Sequence, residues 1–336
     1  MQQAGDIITL AAGAYRLRER LAGSAYGVLW RADGPGAVGP VALKLVNREQ
    51  MARADPQQRA HWSDSAANEI AFLRSLQPWD GRHIVRLVDS GAHDGLPAMA
   101  LELLDGDLAG HLASVRADGG AIAPLQVLDW IAQVNQGLAK VHQYGWRYLD
   151  LKPANLLFEA RSGALKLTDF GTNRPLSDLH PHSYAGSANW QAPEQFFPGP
   201  AARYQTDART DYFALGALFY YLASGGQPLR YCSDCGAARR EHGAAAAAQL
   251  LAAHGGASPP VLHADEAALF TRRIGLQAGD ARAGQRAGAA ALALLRALLA
   301  PAREDRPRHA LDISRALAAI AAHLRAAAPV ELRSAA

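Results

Sequence analysis

Between Tyr148 and Phe158 an acid, a cation and an amide are set among apolar residues: the run reads Tyr-Leu-Asp-Leu-Lys-Pro-Ala-Asn-Leu-Leu-Phe, with Asp150, Lys152 and Asn155 as its polar members. The apolar pair after Asn155 reads as the start of a short buried strand. The polar side chains therefore fall on the loop leading into that strand and must face one place. Upstream, Pro124 suits the first position of a helix, Leu128, Ile131, Val134, Leu138 and Val141 follow a helical stripe, and Gly145 marks the end. Downstream, Leu165 to Thr168 is a short strand running into Asp169-Phe170-Gly171, a tripeptide that by itself marks only a turn.

The part before this helix has another character. Tyr15 to Ala32 alternates as a strand, a turn at Ala22 to Gly27 and a returning strand through Val28, Leu29 and Trp30, a β-hairpin. Val41 to Val46 is an apolar strand with Lys44 in its middle. A buried ammonium there needs a partner; on an edge strand it snorkels to water. Ser65 to Leu76 carries Ile70, Leu73 and Leu76 as a helical stripe with Glu69 beside it, either turned inward to Lys44 or solvated. Ile84 to Asp89 and Pro97 to Leu104 read as further strands, the second ending in Glu102-Leu103-Leu104 before Asp105-Gly106-Asp107. The N-terminal part is thus strand-rich with one helix.

Beyond Gly171 lies a long polar loop holding Thr172, Ser177, Ser183, Tyr184 and Ser187, which closes on Gln191-Ala192-Pro193-Glu194. Loops of this length inside a compact domain are functional or disordered. Thr206 to Ser224 reads as an apolar helix with Asp211 near its start, where an acid accepts backbone N–H groups. Tyr231 to Pro260 combines Cys232-x-x-Cys235 with an alanine run and Gly255-Gly256. The cysteines are either two of the four ligands of a zinc site, with His242, His254 and His263 nearby at no standard spacing, or two ordinary thiols. Ala287 to Leu299 and Ala310 to Leu324 are amphipathic helices around the charged turn Arg303 to Pro307.

With 49% apolar and 19% charged residues the chain is globular, and its 336 residues allow one large two-lobed domain or two domains. Thirty-four Lys and Arg against 31 Asp and Glu leave a formal charge of +3, no broad basic surface, and hence no expectation of nucleic acid as a partner. Two cysteines make no disulfide framework and fit a reducing compartment. Met1 to Leu10 lacks a basic n-region, and the uncharged run Gly243 to Ala253 is too short to span a bilayer. A cytoplasmic protein without a membrane anchor is expected.

Taken in order, Val41 to Lys44, Asp150 to Asn155, Asp169 to Gly171 and Ala192 to Glu194 resemble the eukaryotic-like serine/threonine protein kinase family in its bacterial-type form, over about Tyr15 to Leu324. The resemblance implies an α+β, bilobal protein-kinase-like fold: a small antiparallel β-sheet N-lobe with one helix and a larger, mainly α-helical C-lobe. The corresponding boundaries are an N-terminal extension 1–14, an N-lobe 15–103, a C-lobe 104–326 with a variable insertion 231–260, and a tail 327–336. It implies transfer of the γ-phosphoryl group of ATP to Ser or Thr hydroxyls of protein substrates, with Mg²⁺, or Mn²⁺ in its place, as the metal. Lys44 would hold the α/β-phosphates and pair with Glu69, Asp169 and Asn155 would bind the metal, Asp150 would accept the proton of the substrate hydroxyl, and Lys152 would stabilise the transferring phosphoryl group. The nucleotide would further meet Leu21, Ala22, Gly23, Ser24, Gly27 and Leu29 of the phosphate loop, the backbone of Glu102 and Leu104 past the gatekeeper Leu101, and Asp107 at the ribose. Glu194 and Arg306 resemble the buried ion pair that ties the activation segment to the helical lobe, with Asp211 bracing the catalytic loop.

The chain departs from the family pattern in three places. Ala22 and Ser24 stand for the first two glycines of the phosphate loop, so a methyl and a hydroxymethyl narrow the clearance there. Tyr148 replaces the histidine packed beneath the catalytic loop. Leu149 replaces the arginine that receives an activation-loop phosphate; a leucine makes no charge-assisted bond to a phosphate, so activity without such phosphorylation is expected. Two other readings stand beside the kinase: a pseudokinase serving as a nucleotide-binding or scaffolding module, favoured by the missing glycines, and a small-molecule phosphotransferase of kinase-like fold, whose families lack the Ala-Pro-Glu element.

Overall fold

A computed structural model describes residues 2–23, 27–56, 59–276 and 280–326. The Ser24 assignment and the 327–336 tail lie outside the described residues. The chain forms two compact units, residues 1–106 with 157–173, and residues 107–156 with 174–336.

The first unit opens on an antiparallel sheet of six strands, β1 (Ile7–Leu10), β2 (Gly13–Gly23), β3 (Gly27–Asp33), β4 (Pro40–Val46), β5 (Leu87–His93) and β6 (Leu96–Glu102), in the order β1-β2-β3-β4-β6-β5. Strand periodicity sorts its side chains. Tyr15 and Leu17 of β2 and Val41, Leu43 and Leu45 of β4 point into one apolar cluster with Ile8, Leu10, Trp30, Ala98 and Ala100. Lys44, one residue out of step, therefore belongs to the opposite face. The N-terminal extension supplies β1, and Asp89 on β5 fastens the turn after it: its Oδ2 accepts from the Ala12 N–H (2.8 Å) and the Tyr15 hydroxyl (3.0 Å).

Two helices follow β4 where one was expected. The short α1 (Arg48–Arg53) exists because the Asn47 side chain caps it, accepting from Gln50 N–H. The long one, α2 (Ala60–Ser75), starts five residues earlier than the stripe predicts. The strand expected over Ile84 to Asp89 also shifts, to Leu87–His93. Its first residues are diverted: Ile84 bridges Leu167 in parallel and Val85 N–H donates to Leu167 O at 2.9 Å, so they serve the later strand. The Pro97 to Leu104 strand becomes Leu96–Glu102, and the two-residue strand β7 (Gly106–Asp107) marks the passage out of the first unit.

The second unit begins with α3 (Leu108–Ala117), α4 (Pro124–Gln143) and the short β8 (Trp146–Arg147). Pro124 stands at the first turn of α4, as predicted. The chain then returns to the first unit as paired strands β9 (Leu156–Glu159) and β10 (Ala164–Leu167). It re-enters the second with β11 (Arg174–Pro175), antiparallel to β8, followed by the one-turn α5 (Pro193–Phe196). The helix α6 (Ala208–Ala223) is buried almost all round, from Thr210 to Tyr220 without a break, as suits the central helix of a bundle. Asp207 caps it through Arg209 N–H, so it starts two residues after the predicted Thr206.

After α6 come α7 (Arg230–His242), α8 (Ala246–Ala253), α9 (Ala264–Gly275), α10 (Ala281–Leu298) and α11 (Ala310–Ala326). The segment read as an insertion is therefore helical over most of its length. Cys232 and Cys235 are both buried on α7, and among the described residues no group of three His, Cys, Asp or Glu side chains is placed to hold a metal. Arg306, before α11, is 2% exposed and donates through all five of its N–H groups: Nη1 and Nη2 to Glu194 Oε1 and Oε2 (2.7 and 2.8 Å), and the remaining donors to the carbonyls of Ala300, Pro301 and Arg209.

Candidate active site

The first unit assembles one group of charged residues. Lys44 Nζ lies 2.7 Å from Glu69 Oε2 and 2.7 Å from Asp169 Oδ1. Burial alone would lower the Lys44 ammonium pKa, but the fields of Asp169 and Glu69 override it and raise it, so the cation is fixed. Glu69 is 1% exposed, and the inward alternative is the one realised. Gly27 on β3 makes room for the lysine: a Cβ there would sit 3.2 Å from Lys44 Cε and 3.5 Å from Leu45 O. Leu29 is the cross-strand neighbour of Lys44, on β3, while Leu21, Ala22 and Gly23 at the end of β2 are exposed.

The loop after β10 reaches this group because α2 binds it twice and Lys44 once along one face. Ser65 Oγ donates to Gly171 O (3.0 Å), Glu69 meets Lys44, and the Phe72 ring packs on Phe170 with centroids 4.6 Å apart. Positions i, i+4 and i+7 of a helix share a face, so one helix sets all three. A Cβ on Gly171 would fall 2.2 Å from Ser65 Oγ, which accounts for the glycine of Asp-Phe-Gly here. Asp169 itself is held at φ +59, outside the ordinary region for a side chain with a Cβ. Further along β6, Glu102 Oε1 accepts from Lys166 Nζ (2.7 Å) and from Arg86 N–H (2.9 Å), which fixes the strand end that leads through Leu104.

The second unit assembles the other group. Asp150 Oδ2 accepts from Lys152 Nζ (2.8 Å) and from Asn155 Nδ2 (2.9 Å), and Asn155 Nδ2 also donates to the Asp150 carbonyl (2.9 Å). Lys152 Nζ continues to Ser187 Oγ at 2.7 Å, so one ammonium joins Asp150 to the segment before Ala192-Pro193-Glu194. The loop is braced from α6: Asp211 accepts from the N–H groups of Tyr148 (2.8 Å) and Leu149 (2.7 Å), and lies 2.8 Å from His142 Nε2. Leu149 adopts φ +67, and its carbonyl accepts from Gln195 Nε2 at 3.0 Å. Tyr148 is fully buried, as its packing role requires.

Asp107 accepts from Gly110 N–H (2.7 Å) and caps α3. Leu101 is 3% exposed on β6 and Leu104 is half-buried. The residue types that could hold a divalent ion are oxygen donors. Asp169 keeps its carboxylate 44% exposed, and Asn155, with Nδ2 committed to Asp150, presents a carbonyl oxygen, the hard ligands Mg²⁺ takes alongside phosphate oxygens. Sequence reasoning missed Ser65, Phe72, Lys166 and Gln195. Phe72 is on the apolar stripe of α2 and was legible as core only; Ser65, Lys166 and Gln195 carry no signal until the segments they touch are folded.

The first unit is strand-built and holds a Lys–Glu–Asp cluster, and the second is helical and holds an Asp–Lys–Asn loop, the two parts of a protein-kinase architecture. Residues 23–311 match the model of the protein kinase domain, and the chain belongs to that family. It is 33% identical over 198 residues to the serine/threonine-protein kinase PknB of Mycolicibacterium smegmatis (56% of this chain, 29% of that one). It is 31% identical over 232 residues to the serine/threonine-protein kinase PkaA of Streptomyces coelicolor (64% and 39%). The match thus spans only about a third of the length of these curated relatives. Among solved structures, a double mutant of the PknI kinase domain from Mycobacterium tuberculosis superposes with a TM-score of 0.61 at 23% identity, over 96% of this chain and 99% of that one, a likeness of fold. No helix of the described residues is long and apolar enough to cross a membrane.

Proposed function

We propose that this chain is an ATP-dependent protein kinase that phosphorylates Ser or Thr hydroxyls of protein substrates in the cytoplasm. The observation that carries the reading is the Asp150–Lys152–Ser187 chain, in which one ammonium holds a carboxylate and a hydroxyl of the segment beside Ala-Pro-Glu. Phosphoryl transfer needs little covalent work from a protein, so positioning and charge neutralisation dominate. Asp150, held by Lys152 and Asn155, orients the acceptor hydroxyl and takes its proton. Lys152 offers its positive charge to the phosphoryl group in transit. Lys44, its rotamer fixed by Glu69, holds the α/β-phosphates of ATP. Asp169 and Asn155 would bind Mg²⁺, or Mn²⁺ in its place, which when bound neutralises charge on the phosphate oxygens.

In the same reading Leu21, Ala22, Gly23, Ser24, Gly27 and Leu29 border the nucleotide, the backbone of Glu102 and Leu104 meets adenine, and Asp107 serves the ribose beside its capping role. The Glu194–Arg306 pair supports a protein acceptor over a small alcohol, since it anchors the segment that a polypeptide substrate would rest on. Transfer of labelled phosphate from ATP to a generic protein substrate tests the proposal. Asp150→Asn and Lys44→Met should each reduce the rate by at least about 100-fold while leaving the fold intact, the scale of removing a preorganised charge. A wild-type chain that binds nucleotide and transfers nothing would instead mark a scaffold.

A further inference from the structure

The activation segment contains an anion of its own. Asp178 Oδ2 accepts from Arg174 Nη2 at 2.9 Å, and its Oδ1 accepts from His180 N–H at 3.2 Å. The Asp178 carbonyl accepts from Arg147 Nη2 at 2.9 Å. Arg147 and Arg174 are cross-strand partners in the β8–β11 ladder, so two guanidinium groups meet at Asp178, one on its carboxylate and one on its carbonyl. Arg147 is 1% exposed, and its Nε is buried with no hydrogen-bond partner among the described residues. A pair of arginines at the start of an activation segment is an arrangement that would accept an anion. Here the acid four residues after Arg174 is already on it. The Arg174 bond, followed by the His180 N–H, holds the Asp178 carboxyl below the usual range, so it stays ionised.

The same segment is fastened at successive points. Leu176 N–H donates to Gly145 O at 2.7 Å, and His182 and Tyr204 exchange backbone bonds of 2.8 and 3.0 Å. His182 Nε2 lies 2.9 Å from Thr206 Oγ1, and the Arg239 guanidinium of α7 sits 4.0 Å over the Tyr184 ring.

We infer that Asp178 is the resident anion of the activation segment, a positioning residue whose carboxylate holds Arg174 while its carbonyl holds Arg147 on the strand preceding the catalytic loop, so that no phosphoryl group is needed there. The inference rests on the kinase reading for its effect on rate, and on the fold alone for its effect on the segment. The link runs from Asp178 to Arg147, and Arg147 is next to Tyr148, whose N–H is held by Asp211. Order in the segment is thereby passed to the loop that carries Asp150.

The test uses the full chain made with a co-expressed phosphatase and shown by intact mass to carry no phosphate. Limited chymotrypsin digestion reads the segment at Leu176, at Leu179, which is 70% exposed, and at Tyr184. The unphosphorylated wild type should resist cleavage. Asp178→Asn should be cut about tenfold faster, and its kcat should fall about tenfold with KM for ATP unchanged, the equivalent of one charge-assisted hydrogen bond. Asp178→Glu should restore most of both, which a purely packing role would not. Should Asp178→Asn fail to fold, Arg174→Gln opens the same pair from its more exposed side. The inference is overturned if the neutral variant matches wild type in both readouts. It is equally overturned if the unphosphorylated wild type is cut as fast as the variant and gains protection only when a segment hydroxyl is phosphorylated. A wild type that transfers no phosphate at all defeats the kinase reading, while the cleavage comparison still decides the role of Asp178.

Discussion

Leu149 combines two demands that conflict in an ordinary loop: a buried leucine side chain and a backbone at φ +67. Such a conformation costs about 1–3 kcal/mol and persists only where the surroundings over-determine it. Asp211 holds the N–H of Leu149 and Gln195 holds its carbonyl, which supplies the determination. Gly186 guards the same carbonyl, since it lies at φ +96 and a Cβ on it would fall 2.6 Å from Leu149 O. Gly186→Ala should therefore destabilise the chain by about 2 kcal/mol or more, read as a lower urea midpoint, because strain and a backbone clash act together. At this scale the sequence was informative about chemistry and silent about geometry. Asp150, Lys152 and Asn155 could be read because a buried acid, cation and amide on one loop have few other uses. Leu149 could be read as unable to bind phosphate, yet nothing in its type announces a left-handed backbone.

Helices and loops show the opposite balance. The stripe on α2 foretold the helix but left Glu69 either inward or solvated, and Ser65 and Phe72 acquire their roles only when Gly171 and Phe170 arrive from about a hundred residues away. The polar loop after Gly171 looked structureless because its order comes from long-range partners. His182 illustrates the point and carries a prediction. Burial lowers its pKa from 6.5, with Arg174 and Arg147 adding to the effect, while the Ser183 carbonyl and Asp178 oppose it. The unfolded chain thus binds the proton more readily than the folded one. The contribution of His182 is complete above about pH 6.5 and is lost as pH falls below it. Protection of the amides of residues 176–185, taken relative to their intrinsic exchange rates at each pH, should fall between pH 7.5 and 5 in the wild type, and His182→Gln should flatten that dependence.

The α7 helix yields a second element-level expectation. Burial pushes both thiols up, Cys235 to about 12, so the native protein should show no maleimide labelling at pH 7.5 and two labels once denatured. Mass spectrometry of the two samples reads this directly. The C-x-x-C spacing that raised zinc in the sequence is here one turn on the buried face of a helix, with the thiols serving as small apolar groups.

At the scale of the molecule, the division into a strand-rich and a helical part was legible because period-2 and period-3.6 patterns occupy different stretches. The return of residues 157–173 to the first unit was not, because two short strands in the middle of a chain carry no mark of which sheet-bearing unit they complete. Nor was the sixth strand: Ile7–Leu10 is too short to stand out, and it depends on Asp89 accepting from Ala12 and Tyr15. The protein kinase domain takes up residues 23–311, most of the chain, whereas the chain matches only 29% and 39% of the two curated relatives.

Arg306 gives the second unit a residue with no slack. Each of its five N–H groups has a fixed acceptor on Glu194, Arg209, Ala300 or Pro301. Lysine keeps the charge but brings three donors on a flexible stem, so it would leave acceptors unmet in a place closed to water. Arg306→Lys should cost about 3 kcal/mol in chemical denaturation, close to the loss from Arg306→Met, because breaking a buried pair penalises whatever remains behind. The position is a lock with one key, and among the random variants of a saturation library it should return arginine alone.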